Sequence, residues 1–191
     1  IHPDKSRRID AMDEIKRALE VAEQIPLRHL ILHLGERDDT WGLRALEHSI
    51  TAIEHLHAFA APLGVRLLVE NLEGEVATPA HLIEILASGH FTDLGVCLDV
   101  GHAHLGDGVP AALETLHDRI RSSHLHDNHR DKDAHLWPGD GTIDWDATLG
   151  GLKAAPHSPA GVLEISYSLG ETLDSFVEKA YKALEKMDQA R

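Results

Sequence analysis

Five short apolar runs in this chain each end in a side chain that can bind a metal ion. The runs cover residues 30–33, 67–70, 96–99, 122–124 and 162–164, and they end in His33, Glu70, Asp99, His124 and Glu164. Their spacing leaves room for a helix between successive runs, which is the pattern of parallel βα units. Because the carboxyl ends of the strands of a parallel barrel meet at one mouth, we expect these side chains to converge. The series therefore predicts a metal centre.

Amphipathic stretches fill the gaps between these runs. Apolar residues recur at helical spacing in residues 9–22, 46–63 and 173–184. Thr78 followed by Pro79 predicts the start of a further helix, because Thr suits an N-cap and Pro the first helical position. Pro110 is expected to start another helix. Strands that alternate with helices in this way predict an α/β domain with a parallel sheet.

The number of βα units decides between two architectures. We find five, whereas a closed barrel has eight and typically takes about 250 residues. An open, doubly wound sheet is the alternative, but it usually has a Gly-rich phosphate-binding turn after its first strand, and residues 34–37 are not such a turn. We therefore predict one domain over residues 1–191, an incomplete TIM barrel whose first strands are missing.

The composition of the chain limits the classes of molecule that we expect it to bind. The 42% hydrophobic and 26% charged residues are typical of a soluble globular domain, and no apolar run approaches the roughly 20 residues of a membrane span. The single cysteine, Cys97, fits a reducing cytoplasm. A net charge of −14 argues against a nucleic-acid partner, although bound cations would offset several carboxylates. We expect a small-molecule substrate, no membrane partner, and a second copy as one way to cover an exposed sheet edge.

Residues 97–104 carry a carboxylate and an imidazole at short spacing. Asp99 ends a strand, and His102 is expected in the loop that follows. Two such side chains can bind one metal ion or two adjacent ions. The alternative is that Asp99 caps the next helix and His102 is a solvated loop residue.

Residues 124–145 are the second polar segment. His124 and His126 point the same way if both lie on a strand, and Asp127 is a candidate to orient a ligating imidazole. Asp133 and His135 share one face of an extended loop, which suits a further metal ion. The Gly-Asp-Gly turn at residues 139–141 would let the backbone approach a ligand closely. A His-rich surface loop without function is the alternative.

Glu70 follows a continuous apolar run, so its carboxylate is expected to be buried and costly unless it is neutralised. A metal ion would neutralise it. A buried salt bridge is the weaker alternative, because the strand ends offer acids and histidines rather than Lys or Arg. The same argument applies to His33, although a strand histidine is often only hydrogen-bonded.

The ordered motifs resemble the xylose-isomerase-like TIM-barrel superfamily, which includes sugar and sugar-phosphate isomerases and epimerases and the apurinic endonucleases of the endonuclease IV type. The resemblance extends from about residue 10 to residue 184. It rests on the motifs His33-Leu34-Gly35, Val69-Glu70-Asn71, Leu98-Asp99-Val100-Gly101-His102, His124-Leu125-His126-Asp127 and Leu163-Glu164.

The resemblance implies a set of site residues. The implied metal ligands are Glu70, Asp99, His124 and Glu164, with His126 competing with His124 as the strand's ligand. Glu70 and Glu164 would transfer the proton and His102 would orient the substrate, so the implied catalytic residues are Glu70, Glu164 and His102. The implied substrate-binding residues are His102, His126 and Asn71. The endonuclease branch would add His33, His102, Asp133 and His135 as ligands of further zinc ions.

Taken together, the resemblance implies an isomerase or epimerase of a sugar, sugar phosphate or related hydroxy-carbonyl compound that works by proton transfer through a metal-stabilised enediolate. The mixed nitrogen and oxygen ligands suit Mn²⁺ or Zn²⁺, with Mg²⁺ or Co²⁺ as alternatives. A multi-zinc apurinic endonuclease and a degenerate barrel that binds metal without catalysis are the two competing functions.

Overall fold

The structure, a computed structural model, describes residues 1–189, and the chain divides after Cys97 into two compact units. The single domain predicted over residues 1–191 stays a prediction, and the last two of its residues lie outside the described part of the chain.

The first unit alternates helices and strands. Its elements are α1 (Lys5–Glu20), β1 (His29–Leu32), α2 (Leu43–Ala60), β2 (Arg66–Glu70), α3 (Pro79–Ser88) and β3 (Gly95–Asp99), whose last two residues belong to the second unit. The strands pair in parallel and in chain order. Leu30 lies opposite Leu67, and Glu70 lies opposite Cys97.

Burial in this unit follows the apolar pattern of the sequence. Leu67, Leu68 and Val69 in the middle of β2 are each at most 1% exposed, so this strand has no solvent face. A strand that is covered on both faces reads as a continuous apolar run, which is why periodicity alone could not distinguish it from a buried helix. The buried residues of α2 recur every three or four positions: Ala45, Ser49, Ile53, Leu56 and Ala60.

The second unit has the same alternation. Its further elements are α4 (Val100–Leu105), α5 (Val109–Leu116), β4 (Ile120–Leu125), α6 (Trp145–Ala154), β5 (Ala160–Leu163) and α7 (Leu173–Gln189). β4 and β5 pair in parallel, with Ser122 opposite Ala160 and Leu125 opposite Leu163.

The five predicted strands all form, with His33 and Glu164 directly after β1 and β5. The helix start at Pro79 is confirmed, because the Thr78 hydroxyl accepts a hydrogen bond from the His81 amide at 3.2 Å. The prediction that His102 lies in a loop is wrong, because α4 begins directly after β3 and includes His102. The helix α6 was also not predicted; the Asp144 carboxylate caps it by accepting from the Ala147 amide at 3.0 Å.

None of the helices in residues 1–189 combines the length and the apolar character needed to span a membrane.

Two leucines of α2 test the assignment of its buried face. Leu56 is 2% exposed and Leu43 is 72% exposed. Leu56→Ala removes buried methyl groups and leaves a cavity, so we expect the free energy of unfolding to fall by about 2–5 kcal/mol in urea titrations. Leu43→Ala is the matched control and should change it by less than about 0.5 kcal/mol. Equal losses in the two variants would contradict the assigned orientation of the helix.

Candidate metal centre

In the first unit, the predicted ligand Glu70 ends β2 and is 1% exposed. The Nε2 atom of His33 lies 3.2 Å from the Oε2 atom of Glu70, and the His33 side chain is 61% exposed. A buried carboxylate that meets an exposed imidazole fits a site opening to solvent at this end of the strand. Asn71, predicted to bind substrate, follows Glu70 and is 1% exposed; its role stays a prediction.

In the second unit, three predicted ligands from three strand ends come together. Asp99, His124 and Glu164 form what we call the first ligand set. The Nδ1 atom of His124 lies 3.1 Å from Glu164 Oε2 and 3.8 Å from Asp99 Oδ2. One ligand atom from each residue lies within 4.8 Å of the others. Two carboxylates and an imidazole at this spacing are a suitable donor set for a divalent ion.

Asp99 is fully buried and does more than complete this set. Its Oδ1 atom accepts a hydrogen bond from the His102 amide at 2.7 Å and so caps α4. The Nε2 atom of His126 lies 3.0 Å from the same oxygen, and the Nδ1 atom of His102 lies 3.5 Å from it. The two interpretations of the sequence, a helix cap and a site residue, therefore both hold for Asp99.

A second ligand set lies in the same unit and consists of His102, His126, Asp133 and His135, whose ligand atoms all lie within 4.8 Å of one another. The Oδ2 atom of Asp133 lies 3.4 Å from His102 Nε2 and 3.0 Å from His135 Nε2. Its Oδ1 atom lies 3.8 Å from His126 Nδ1. The rings of His126 and His135 stack with their centroids 4.0 Å apart, and the His102 ring meets the His126 ring edge-on.

The charges in the second ligand set are coupled. Burial alone would raise the pKa of Asp133. The hydrogen bond from His102 and the charges of the neighbouring imidazoles outweigh burial and lower this pKa to about 2. Burial lowers the pKa of His126, but the hydrogen bond to Asp99 and the charges of Asp99 and Asp133 outweigh burial and raise this pKa above its usual value. Asp133 is therefore an anion at any working pH, and its surroundings favour a cation beside it.

Gly101 explains how the His126 ring fits against α4. A Cβ atom at this position would overlap the ring. The Asn128 side chain donates a hydrogen bond to the Gly101 carbonyl at 2.9 Å, which fixes the following loop to the same helix. The sequence motif Asp-Val-Gly-His thus places a small residue where the imidazole must approach.

Asp127 does not orient an imidazole, and that prediction is wrong. Its fully buried carboxylate is surrounded by donors from its own loop: the amides of Asn128, Gly139 and Ile143 and the Trp145 indole, at 2.8–3.1 Å. These hydrogen bonds outweigh burial and lower the pKa of Asp127. The backbone of Asp127 also pairs with Leu136 in both directions, at 2.8 and 2.9 Å. The carboxylate therefore closes the loop that carries Asp133 and His135.

Gly141 of the Gly-Asp-Gly turn has a related role, and the predicted approach of this turn to a ligand stays a prediction. A Cβ atom at Gly141 would overlap Asp127 Oδ1 and the Asn128 carbonyl oxygen. The glycine is needed because the turn packs on Asp127. Sequence reasoning missed the role of Trp145, whose position shortly after a Gly-rich turn carried no distinguishing signal.

The family is shown by comparison with known proteins. A family model described as "Xylose isomerase-like TIM barrel" matches residues 1–187, so the chain belongs to this family, and its five described strands form an incomplete, TIM-barrel-like fold. The predicted family and fold class are confirmed. Two relatives are the uncharacterized proteins y4fM of Sinorhizobium fredii, 31% identical over 161 residues, and MJ1311 of Methanocaldococcus jannaschii, 27% identical over 161 residues. Each alignment covers 79% of this chain, but the chain spans only about half of these relatives (51% and 54%).

Solved structures share the fold at low identity. A D-tagatose 3-epimerase-like protein aligns with a TM-score of 0.78 and 23% identity, over 98% of this chain and 73% of its own. The 3-keto-D-glucoside 4-epimerase YcjR of E. coli aligns with a TM-score of 0.80 and 18% identity, over 96% and 74%. The IolI protein with a bound zinc atom aligns with a TM-score of 0.77 and 20% identity, over 99% and 70%. At these identities the likeness is one of fold.

Asp127→Asn tests how the second polar segment is held. An amide NH₂ replaces one acceptor oxygen and faces N–H donors, so we expect a loss of about 1–3 kcal/mol in the free energy of unfolding at pH 7. Because the folded-state pKa is lowered, the wild-type carboxylate stabilises the fold above its unfolded pKa, and this stabilisation is lost as the pH falls through the folded pKa. The difference between the two proteins should therefore shrink on acidification.

The matched control is Asp140→Asn, since Asp140 is an exposed acid of the same loop. It should leave the stability unchanged. Hydrogen exchange of the residue 128–143 amides should accelerate in the Asp127 variant alone; equal exchange in the two variants would count against the role assigned to Asp127.

Proposed function

We propose that this protein is a divalent-metal-dependent isomerase or epimerase of a sugar, a sugar phosphate or a related hydroxy-carbonyl compound. The observation that carries the proposal is the first ligand set: Asp99, His124 and Glu164 lie at the carboxyl ends of three successive strands, and one donor atom of each lies within 4.8 Å of the others. The residues fit a divalent ion because their donors are carboxylate oxygens and an imidazole nitrogen.

Glu70 is proposed as the fourth ligand. It lies at the carboxyl end of its strand, as do the three residues of the first ligand set, and its carboxylate is 1% exposed. Such a group is costly to bury without a cation or hydrogen-bond donors. Of the two candidate histidines on β4 and just beyond it, His124 is proposed for this ion, because its Nδ1 atom lies beside both acids of the first ligand set.

The fold relatives support the reaction class. The structures that share the fold include the two proteins named above as a tagatose-epimerase-like protein and a ketoglucoside epimerase, and a D-psicose 3-epimerase solved in the presence of D-fructose. The zinc atom of the IolI structure supports a divalent ion as cofactor. Zn²⁺ and Mn²⁺ are the proposed ions, with Mg²⁺ and Co²⁺ as alternatives.

In the proposed mechanism two carboxylates share the transfer of one proton, which leaves a substrate carbon and returns to it. A divalent ion bound here would act as a Lewis acid toward neighbouring substrate oxygens. Glu70 and Glu164 remove the proton from the substrate carbon and return it, each as a general base and then a general acid. The His33 imidazole beside Glu70 and the His124 imidazole beside Glu164 hold these carboxylates in position. Asn71 is proposed to contact the substrate. The resemblance implies the same role for His102 and His126, and this role competes with the one in the second ligand set, because the ring nitrogens of both histidines face Asp99 and Asp133.

The second ligand set keeps one other function open. His102, Asp133 and His135 are the residues that the resemblance assigns to a further zinc ion of the endonuclease branch, and they do lie together. Under that hypothesis a metal-bound hydroxide would attack a phosphodiester at an abasic site. The net charge of −14 argues against it, because binding to the DNA backbone needs a basic surface. Metal binding without turnover is the third hypothesis.

Glu70→Gln tests the proposal. The amide cannot transfer the proton, so we expect kcat for isomerisation or epimerisation of a responsive ketose to fall by about 10²–10⁴-fold. The measurement is NMR of a panel of ketoses and ketose phosphates in D₂O with Mn²⁺ or Zn²⁺ added, which detects product and deuterium at the exchanging carbon.

Glu84→Gln is the control, because Glu84 is an exposed glutamate of α3 in the same unit. It should retain full activity. Retained deuterium exchange in the Glu70 variant would refute its assigned role. Cleavage of abasic duplex DNA by the wild type, without ketose turnover, would favour the endonuclease.

A further inference from the structure

His126 occupies a position that the proposed catalytic ion does not explain. Its side chain is fully buried, and its Nδ1 atom is a buried polar atom without a hydrogen-bond partner. The ring is fixed from the other side by Asp99, at 3.0 Å from Nε2. The atom without a partner faces Asp133, whose Oδ1 is 3.8 Å away. Buried polar atoms in folded proteins nearly always have a partner, so this nitrogen is a candidate to bind a water molecule or an ion.

Hydrogen bonds set which nitrogen carries the proton in the neutral rings of His126 and His135. The His135 Nδ1 donates to the Glu164 carbonyl at 2.7 Å, and because a carbonyl only accepts, the neutral ring has its lone pair on Nε2. The His126 Nε2 donates to the Asp99 carboxylate, which leaves the lone pair on Nδ1. The His102 Nδ1 lies 3.5 Å from Asp99, and its Nε2 lies 3.4 Å from Asp133, so a metal ion at Nε2 would replace the proton that this nitrogen shares with Asp133. Outer hydrogen bonds of this type orient histidine ligands of metals.

One nitrogen of each of the three rings faces the Asp133 carboxylate. The three nitrogens lie 3.0, 3.4 and 3.8 Å from Asp133 oxygens. For a tetrahedral zinc ion with bonds of about 2.0–2.1 Å, the ligand atoms lie about 3.3 Å apart, which is close to the present spacing. The stacked rings of His126 and His135 would also have to tilt, so that their in-plane lone pairs point at one ion. Without a cation or additional protons, this arrangement brings acceptors together and is repulsive.

We infer that His126 is the fourth protein ligand of a closed metal site formed with His102, Asp133 and His135, and that the ion held there orders the loop instead of taking part in the reaction. Four protein ligands leave a tetrahedral ion no open position for water or substrate, which is the property of structural sites. The three-residue set that the resemblance implies for the endonucleases would keep such a position open. His126 closes it in this chain.

The position of the loop supports the structural role. Residues 128–135 lie between the paired residues Asp127 and Leu136, and Asp133 and His135 are the two residues of this segment that face His126. His135 has a backbone φ of 45°, a conformation that surrounding structure must stabilise. An ion bound to both helix α4, through His102, and this segment would fix the segment to the helix.

Cobalt substitution tests the inference without relying on activity. The Co²⁺ titration is performed on Glu164→Gln, which weakens the proposed catalytic site but keeps the Glu164 carbonyl that orients His135. We expect one equivalent of Co²⁺ to give the intense visible bands of a tetrahedral ion. Proton NMR should show three hyperfine-shifted, exchangeable ring N–H signals, one for each histidine ligand. Weak bands typical of five or six ligands, measured while His126 is intact, would overturn the inference.

Two variants of His126 in the same background identify the fourth ligand. In both His126→Asn and His126→Gln we expect one ring N–H signal to disappear and Co²⁺ affinity to fall by at least about 100-fold, beyond the range typical of losing an outer partner. His129→Asn changes an exposed histidine of the same loop and should alter neither readout. Three remaining ring signals and unchanged affinity in the His126 variants would overturn the assignment.

Loop protection separates this inference from the proposed function. In the wild type, Zn²⁺ should slow hydrogen exchange of the residue 128–135 amides, and His126→Asn should abolish this effect while catalytic metal remains bound. If the ketose panel shows no turnover but the cobalt and exchange results hold, the proposed function fails and the structural site stands. Turnover with no metal-dependent protection of the loop would overturn the structural role of the ion.

Discussion

The buried carboxylate of Asp99 is the interaction on which the organisation of the second unit depends. A fully buried carboxylate is stable only when donors or cations surround it. The Asp99 carboxylate accepts a hydrogen bond from the His102 amide, and this bond caps α4 directly after the end of β3. The same carboxylate lies 3.0 Å from the His126 ring nitrogen Nε2. The first of these contacts fixes the strand-to-helix turn and the second fixes the residue that follows β4. One side chain thus determines where two elements place their candidate metal-binding groups.

The two ligand sets differ in chemistry although they share this anchor. The first ligand set has two carboxylates and one imidazole, which suits an ion that must exchange substrate oxygens. The second ligand set has three imidazoles and one carboxylate, and each imidazole has its other nitrogen toward an acceptor outside the set. An arrangement so fully fixed by the protein suits an ion that stays in place.

The long connection from β4 to α6 shows how a polar segment becomes part of a site. Loops of this length without regular structure are uncommon in compact domains and are usually functional or disordered. Here the Asp127 carboxylate gathers amides from positions up to sixteen residues away together with the Trp145 indole. These hydrogen bonds satisfy backbone groups that would otherwise require water, so the loop can carry Asp133 and His135 to a defined position.

The sequence by itself determined the strands, most of the helices and the residue types at the strand ends. It could do so because apolar runs, caps such as Thr78-Pro79 and the period of a helix are local properties. The family resemblance also grouped His102, Asp133 and His135, and the structure brings them together, although the sequence placed His102 in a loop. Only the tertiary structure decided that His126 belongs with these three residues and that Asp127 holds the loop. Both roles depend on contacts between residues that are distant in the chain. The sequence pattern around a histidine or an aspartate does not indicate whether its partner will be a metal ligand, an amide or water.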